Sequence, residues 1–418
     1  MDSPIEAGEH QLHVFDAEGV RTEVVVWGDV EPDWDEVKRD FTAIAEVTHD
    51  VFDHDIHIDR YVYIVHAYPG GRGGTEHLNS TVVQTRPETF SDHDRWIGFM
   101  GLVTHEYFHT WNVKRFRPVG ITPYDYDKEN YTTLLWLVEG TTSYYDELLL
   151  VRAGIVDADW YIDRTASTIG SVMNRAGRHR SSLSQSSYDA WLKFWGQPSP
   201  DHSNTTVNFY SHGSMASMCL DLMIRDATDN ARSLDDVMRV LNERYDWREN
   251  GYTPGDVRAI AAEVAGTDMA EFFDRYIDGT EPPPFAEALA IAGLELTQDD
   301  ADGPPTLGAS INGAGEVTRL RDGSPAFAAG INVGDEVVSI AGRSVAGRDT
   351  GDVLAEFEPG DAVTVGLFRY RAYREIELEL GEPAPGRYRL ERVAEPTERQ
   401  RRIYEGWLGE SWPFETTD

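Results

Sequence analysis

Residues 11–27 alternate apolar and polar positions in two runs, QLHVFDA and RTEVVVW, separated by a Glu-Gly turn, which predicts two short strands. WDEVKRDFTAIAEVTHDVF (34–52) places Val37, Phe41, Ile44 and Val47 at helical spacing. DRYVYIVHAYP (59–69) and HLNSTVVQT (77–85) read as strands on either side of a glycine-rich loop, PGGRGG (69–74). Apolar-rich helices are expected at 92–113 and 131–152. Helical patterns then dominate 157–278, interrupted by a polar loop near 196–206. The proline-rich stretch DGTEPPPF (278–285) reads as a stop and as the expected domain boundary. Beyond residue 300 the pattern changes to short β-rich runs with glycine turns. No internal repeat or low-complexity segment is evident. The pattern predicts a multidomain α+β chain: a mainly helical unit with a small N-terminal β-sheet part, then a β-rich unit.

A length of 418 residues suits two or three domains, and 40% hydrophobic residues supply sizeable cores. No apolar run reaches membrane-spanning length, so no membrane partner is expected. The opening MDSPIEAGEHQLHVF has neither a basic region nor an apolar stretch, which argues against a signal peptide and for a cytoplasmic location. Cys219 is the single cysteine, so an intramolecular disulfide framework and a cysteine-based metal site are excluded.

Charge changes the picture further. Asp and Glu total 73 against 37 Lys and Arg, a net charge of −36. Lysine occurs only at 38, 114, 128 and 193; the other basic residues are arginines. Such a chain lacks the basic surface that nucleic-acid binding needs. The pattern fits a salt-loving, cytoplasmic protein whose self-repulsion is screened at high ionic strength. An ordinary acidic protein is the alternative.

The candidate chemistry lies in GLVTHEYFHTWNVKRF (101–116). His105 and His109 stand at i and i+4, so on a helix they share a face and can both reach one Zn²⁺. Glu106 follows the first histidine and is placed to act as a general base. The blander reading is a pair of hydrogen-bonded core histidines. In LLWLVEGTTSYYDELLL (134–150), Glu139 lies in an apolar stretch where an unpaired carboxylate is costly, which makes it the candidate third ligand. An ordinary, partly exposed glutamate is the other possibility.

THEYFHTWNVKRFRP followed by WLVEGTTSYYDELLL resembles the glycyl aminopeptidase family, zinc peptidases of the thermolysin-like (gluzincin) group with a C-terminal PDZ domain. The resemblance runs from about residue 20 to the end. It implies zinc held by His105, His109 and Glu139, with Glu106 as the base, in a catalytic domain over 1–285. GGTEH (73–77) resembles the family's Gly-Gly-x-Glu-His segment, with Thr75 where an apolar residue is usual. This implies substrate binding by Gly74, Thr75 and Glu76, with the Glu76 carboxylate holding the peptide's α-amine. FYSHGSMASMCLDLMIRD (209–226) resembles the family's Tyr-x-Lys-Gly helix entry, with His212 in place of the lysine. Tyr210 would then donate to the developing oxyanion. Members commonly begin with a β-rich domain. It is expected to be absent here or to lie outside this chain.

GEVTRLRDGSPAFAAGINVGDEVVSIAGRSV (315–345) resembles a bacterial-type PDZ domain, expected over 300–385. GSPAFAAG should form a short helix, TGDVLAEFEPGD (350–361) the longer helix flanking the groove, and TVGLFRYRAYREIELEL the closing strands. TLGA (306–309) is placed like the carboxylate-binding loop, which implies that Leu307 and Gly308 receive a peptide C-terminus. The tail, 386–418, should pack back as a helix. The function expected is a zinc aminopeptidase acting on peptides, with small residues such as Gly or Ala favoured by the resemblance. A PDZ-guided metallo-endopeptidase, or a PDZ peptide-binding protein with a vestigial zinc site, stands as the alternative.

Overall fold

The computed structural model describes residues 3–195 and 199–413. The chain opens with β1 (Gln11–Ala17) and β2 (Val20–Trp27), followed by α1 (Trp34–Val51), β3 (Arg60–Ala67), β4 (Gly74–Glu76) and β5 (Ser80–Thr85). The five strands form one sheet in the order β1-β2-β3-β5-β4. β2, β3 and β5 run parallel, whereas β1 and β4 are antiparallel to their neighbours. Apolar runs occupy 24–27 of β2 and 61–65 of β3, whereas β5 sets Val82 and Val83 among polar residues. α1 begins where the Asp33 carboxylate accepts from the amides of Asp35 and Glu36, and it buries Val37, Phe41 and Ile44.

Next come α2 (His93–Phe108), a π-helical segment (Trp136–Thr141), α3 (Thr142–Arg152) and α4 (Ala158–Met173). Three short helices follow, α5 (Leu183–Tyr188), α6 (Ala190–Lys193) and α7 (His202–Thr205); of the polar loop expected at 196–206, residues 196–198 lie outside the described set. The long α8 (Phe209–Ala227), α9 (Leu234–Arg244), α10 (Pro254–Ala265) and α11 (Ala270–Phe272) complete the helical region. Capping boxes at Ser233 and Thr253 fix the starts of α9 and α10.

The chain does not change cores at the proline-rich stretch. α12 (Phe285–Ile291) packs on α8, and with Leu294 of β6 (Leu294–Gln298) it belongs to the first hydrophobic core. A second core takes over from Leu307 to Leu380. It is enclosed by the paired strands β7 (Ala309–Ile311) and β8 (Val317–Leu320), by α13 (Pro325–Ala328), and by a four-stranded antiparallel sheet. That sheet has the order β10-β9-β11-β12, with β9 (Glu336–Ile340), β10 (Arg343–Ser344), β11 (Ala362–Arg369) and β12 (Ala372–Glu379). The helix expected over 350–361 is shorter: α14 covers only Thr350–Leu354. Pro359 cannot continue a helix, and Gly360 turns the chain at φ 88° into β11.

The tail then returns to the first core. β13 (Tyr388–Arg392) pairs with β6, and α15 (Glu398–Leu408) buries Ile403, Tyr404, Trp407 and Leu408; residues 414–418 lie outside the described set. The chain is thus a multidomain α+β molecule in which the β-rich module is an excursion from the larger unit. No helix among the described residues is long and apolar enough to cross a membrane. The side chain of Asn204 fastens the two units: its amide donates to the Leu320 carbonyl at 2.7 Å and its oxygen accepts from the Asp322 amide at 3.1 Å. Arg180 pairs with Asp322 beside it.

Candidate metal centre and its surroundings

α2 is capped by Asp92, whose carboxylate accepts from the Arg95 amide, and its last two turns are buried. His105 and Glu106 lie in the final turn and His109 is the capping residue. The helix ends five residues before the expected 113. The reason is local: the His109 Nδ1–H donates to the Asn112 carbonyl at 2.6 Å, which turns the chain back. The Asn112 side-chain amide is held in turn by the carbonyls of Leu137 and Val138.

Glu139 arrives on the π-helical segment, an irregularity that is frequent at functional sites. The segment crosses α8 at van der Waals distance because both facing residues are glycine. A Cβ on Gly140 would lie 2.5 Å from the Phe209 carbonyl oxygen, and one on Gly213 would lie 2.7 Å from that of Trp136. This crossing brings the Glu139 segment against the start of α8, where Tyr210 stands.

His105, His109 and Glu139 converge, with one ligand-type atom from each within 4.8 Å of the others. The Nε2 atoms of both histidines lie 3.3 Å from Glu139 Oε2. Each ring is oriented through its other nitrogen. His105 Nδ1 bonds Asp146 Oδ2 at 2.9 Å, as His109 Nδ1 bonds Asn112. These are the outer partners that orient metal-binding imidazoles. The donor set fits a tetrahedral zinc ion: ligands about 2.0–2.1 Å from such an ion stand about 3.3–3.4 Å from each other, matching the separation found here. Without a cation, burial would push the His105 ring toward neutrality, but Asp146 and Glu139 override it and hold its pKa well above the usual range. Burial acts to raise the Glu139 pKa, yet His109 and His105 bring it well below the ordinary carboxylate range. Two buried histidines and a half-buried carboxylate hold ring protons here, and a bound divalent ion would take the place of those protons.

Glu106 is buried beside this cluster. Its Oε2 lies 3.5 Å from Thr81 Oγ1, and a Cβ on Gly74 would meet its Oε1 at 2.3 Å, so the β4 edge lies flat against the carboxylate. The Tyr61 hydroxyl donates to its main-chain carbonyl at 3.2 Å. Burial pushes the Glu106 pKa up to about 7, opposed by His105 and His109. Tyr210 tilts over His105 with ring centroids 6.1 Å apart. Burial, then the charges of Glu139, Glu76 and Glu106, keep its phenol protonated. Glu76 ends β4 near enough for its charge to bear on both Glu106 and Tyr210. Its Oε1 lies 3.4 Å from Nζ of the buried Lys114. Thr75 is exposed, and its carbonyl accepts from Thr81. His212 lines a small cavity with Arg178 and Tyr276, and burial lowers its pKa to about 3.

Sequence reasoning passed over Asp146, Asn112, Lys114 and the Gly140–Gly213 crossing. Asp146 follows Glu139 by seven residues, two helical turns, a spacing that could have signalled a shared face. The other candidate loop lies apart, in the β-rich module. Leu307 is buried in its core; the Gly308 amide donates to Thr306 Oγ1, and Gly308 packs against Ser324.

Residues 98–216 match the model of a family described as M61 glycyl aminopeptidase. The solved structure of an aminopeptidase N family protein from Idiomarina loihiensis is similar over 96% of this chain and 71% of that one, at 27% identity and a TM-score of 0.87. The serine endoprotease from Yersinia pestis aligns with 19% of this chain and 30% of its own, at 28% identity and a TM-score of 0.18. Comparison with curated proteins gives no match.

Proposed function

We propose that this chain, placed in the M61 glycyl aminopeptidase family by residues 98–216, is a zinc-dependent aminopeptidase that removes N-terminal residues from peptides. The observation that carries the reading is the convergence of His105, His109 and Glu139 beside the buried Glu106. Zinc held by these three would supply Lewis acidity toward the scissile carbonyl. Glu106 takes a proton from the attacking water and delivers it to the leaving amine, for which a carboxylate buried next to the ligands is suited. The Tyr210 hydroxyl, kept protonated, donates to the oxyanion that develops on the carbonyl. Glu76 accepts from the α-ammonium, with Gly74 and Thr75 forming the strand edge beside the substrate, and cleavage is confined to the first residue. Small residues such as Gly or Ala are the proposed preference, which rests on the family resemblance.

The β-rich module is proposed to be a PDZ domain with Leu307 and Gly308 in its carboxylate-binding loop, and the protein to act in the cytoplasm. One observation favours a second reading. Lys114 already neutralises Glu76, so the amine anchor is partly occupied, as a metallo-endopeptidase would tolerate. The test combines metal analysis with turnover of matched peptides bearing free and N-acetylated ends. Zinc near one equivalent, with cleavage of the free peptide only, supports the aminopeptidase. Equal cleavage of both identifies the endopeptidase. Glu106→Gln should keep the zinc and lose at least about 10²-fold in turnover; full activity in that variant would remove Glu106 from the mechanism.

A further inference from the structure

Of the four lysines in the chain, only Lys114 is buried. Its main-chain amide donates to the His109 carbonyl at 3.0 Å, so its backbone is fixed against the end of the helix that carries the histidines. Its ammonium stands 3.4 Å from Glu76 Oε1 and 5.9 Å from the centre of the Tyr124 ring. A cation of the protein's own therefore already sits at the carboxylate proposed to hold the substrate's α-ammonium. The contact is looser than the about 2.7–2.9 Å of a tight charge-assisted hydrogen bond.

The ammonium also has somewhere to go. Lys114 lines a cavity of about 450 Å³, together with Asp59 and Asn79, which precede β3 and β5, and with Thr110 and Asp246. Asp246 is committed to Arg115, but the other three offer oxygen acceptors on the same wall. A lysine stem is long and flexible, so its charge can leave Glu76 and keep polar company in the cavity.

Magnitudes decide what this lysine does to the site. Two ammonium groups on one carboxylate stand about 5 Å apart, and at that range like charges near a protein surface change affinity by more than tenfold. The support that a partly exposed ion pair lends its partner is smaller, about fivefold at most. Competition outweighs support.

We propose that Lys114 is an internal competitor for the substrate's α-ammonium: it occupies Glu76 in the empty site, is displaced toward the cavity by a free N-terminus, and so sets how strongly the site prefers free over blocked peptides. The inference rests on the reading of Glu76 as the amine anchor. Lys114 is on this account a specificity-determining residue and takes no part in bond cleavage.

The test uses the full, zinc-loaded chain carrying Glu106→Gln, so that no probe is consumed. Fluorescence anisotropy gives Kd for Ala-Ala-Ala-Lys-amide, labelled with fluorescein on the lysine side chain, with a free and with an acetylated N-terminus at fixed ionic strength. The ratio of the acetylated to the free Kd should rise about tenfold in K114M, whereas K114R, which keeps the charge, should stay near the parent. In E76Q the ratio should be close to unity, and adding K114M should not change it, because competition needs the carboxylate. Zinc content and melting temperature accompany each variant, and K114Q serves if K114M does not load zinc. A ratio unmoved by K114M overturns the proposal. A ratio that falls makes Lys114 a support for Glu76 and overturns it equally. The aminopeptidase reading is scored apart from this: a parent ratio near unity removes that reading, yet a rise in K114M would still establish the competition. A ratio untouched by E76Q takes the anchor away from Glu76 and overturns both.

Discussion

The two hydrophobic cores are built from different side chains. The first encloses Trp111, Trp136, Trp407 and a set of tyrosines, whereas the second is aliphatic, from Leu307 and Val317 through Ile340 and Val365 to Leu380. Several aromatic tips in the first core are hydrogen-bonded. Tyr107 bonds His49 at 2.8 Å, Tyr144 donates to Asp221 at 2.6 Å, Tyr145 to Asp235 at 2.7 Å and Trp96 to Asp40 at 2.8 Å. Such rings fill volume and also fix direction. Tyr144 and Tyr145 tie down α3, the helix that carries Asp146, so the orientation of His105 rests on a helix held by polar contacts. The module's core has few buried polar groups, chiefly Asp335 with its Arg369 partner, and holds together by apolar burial. The difference teaches where damage should appear: geometry and chemistry in the first unit, stability alone in the second.

The sharpest break should come at Tyr210. Tyr210→Phe keeps the ring and removes the donor, so kcat should fall about 10²–10³-fold with a smaller change in KM. Steady-state kinetics on an aminoacyl reporter reads this, and an unchanged kcat would reassign Tyr210 to packing. Next is Asp146→Asn, which keeps a hydrogen bond to His105 but removes the charge. Zinc affinity in competition with a chelator should drop about 10- to 100-fold; an unaltered affinity would show that the outer network does not reach the metal. Val365→Ala probes the other core. It should cost the module about 2 kcal/mol in chemical denaturation while zinc content and turnover persist; a parallel loss of zinc would show that the two units unfold as one. The last is the most diffuse effect. Melting temperature of the zinc-loaded protein should rise with KCl between about 0.1 and 3 M as repulsion among surface carboxylates is screened. A flat or falling series would remove salt adaptation and leave the peptidase reading standing.

The same contrast explains what could be read from the chain. Strand and helix periodicity is strong wherever one face is buried, so β1 to β3, α1 and the strands of the module stand close to their expected positions. The convergence of His105, His109 and Glu139 was legible because two histidines and a glutamate in apolar surroundings need a common partner. Its supports were not. Asn112 acts through a main-chain carbonyl, which no residue type announces. Asp146 sits in YYDELLL, which reads as an ordinary helix face until Glu139 fixes the direction. Lys114 carried a signal in its rarity, as one of four lysines, but its pairing with Glu76 depends on the fold. The helix expected over 350–361 rested on the PDZ resemblance and ran across Pro359 and Gly360, whereas α14 stops at Leu354. The return of the tail as the helix α15 was expected through the resemblance alone, and the pairing of β13 with β6 had no local signature.

That return has a consequence in time. The Trp407 indole donates to the Tyr144 hydroxyl at 2.8 Å, closing the network that steadies α3. A chain made from its N-terminus presents the HEYFH helix, α3 and α8 long before α15 exists, with the whole β-rich module still to be synthesised between them. Until then the first core lacks Ile403, Tyr404, Trp407 and Leu408, and apolar surface stands open beside α3. The buttress of α3 is therefore the last part of the first core to be made: a chain that stops short of α15 carries His105, His109, Glu139 and Asp146 without it.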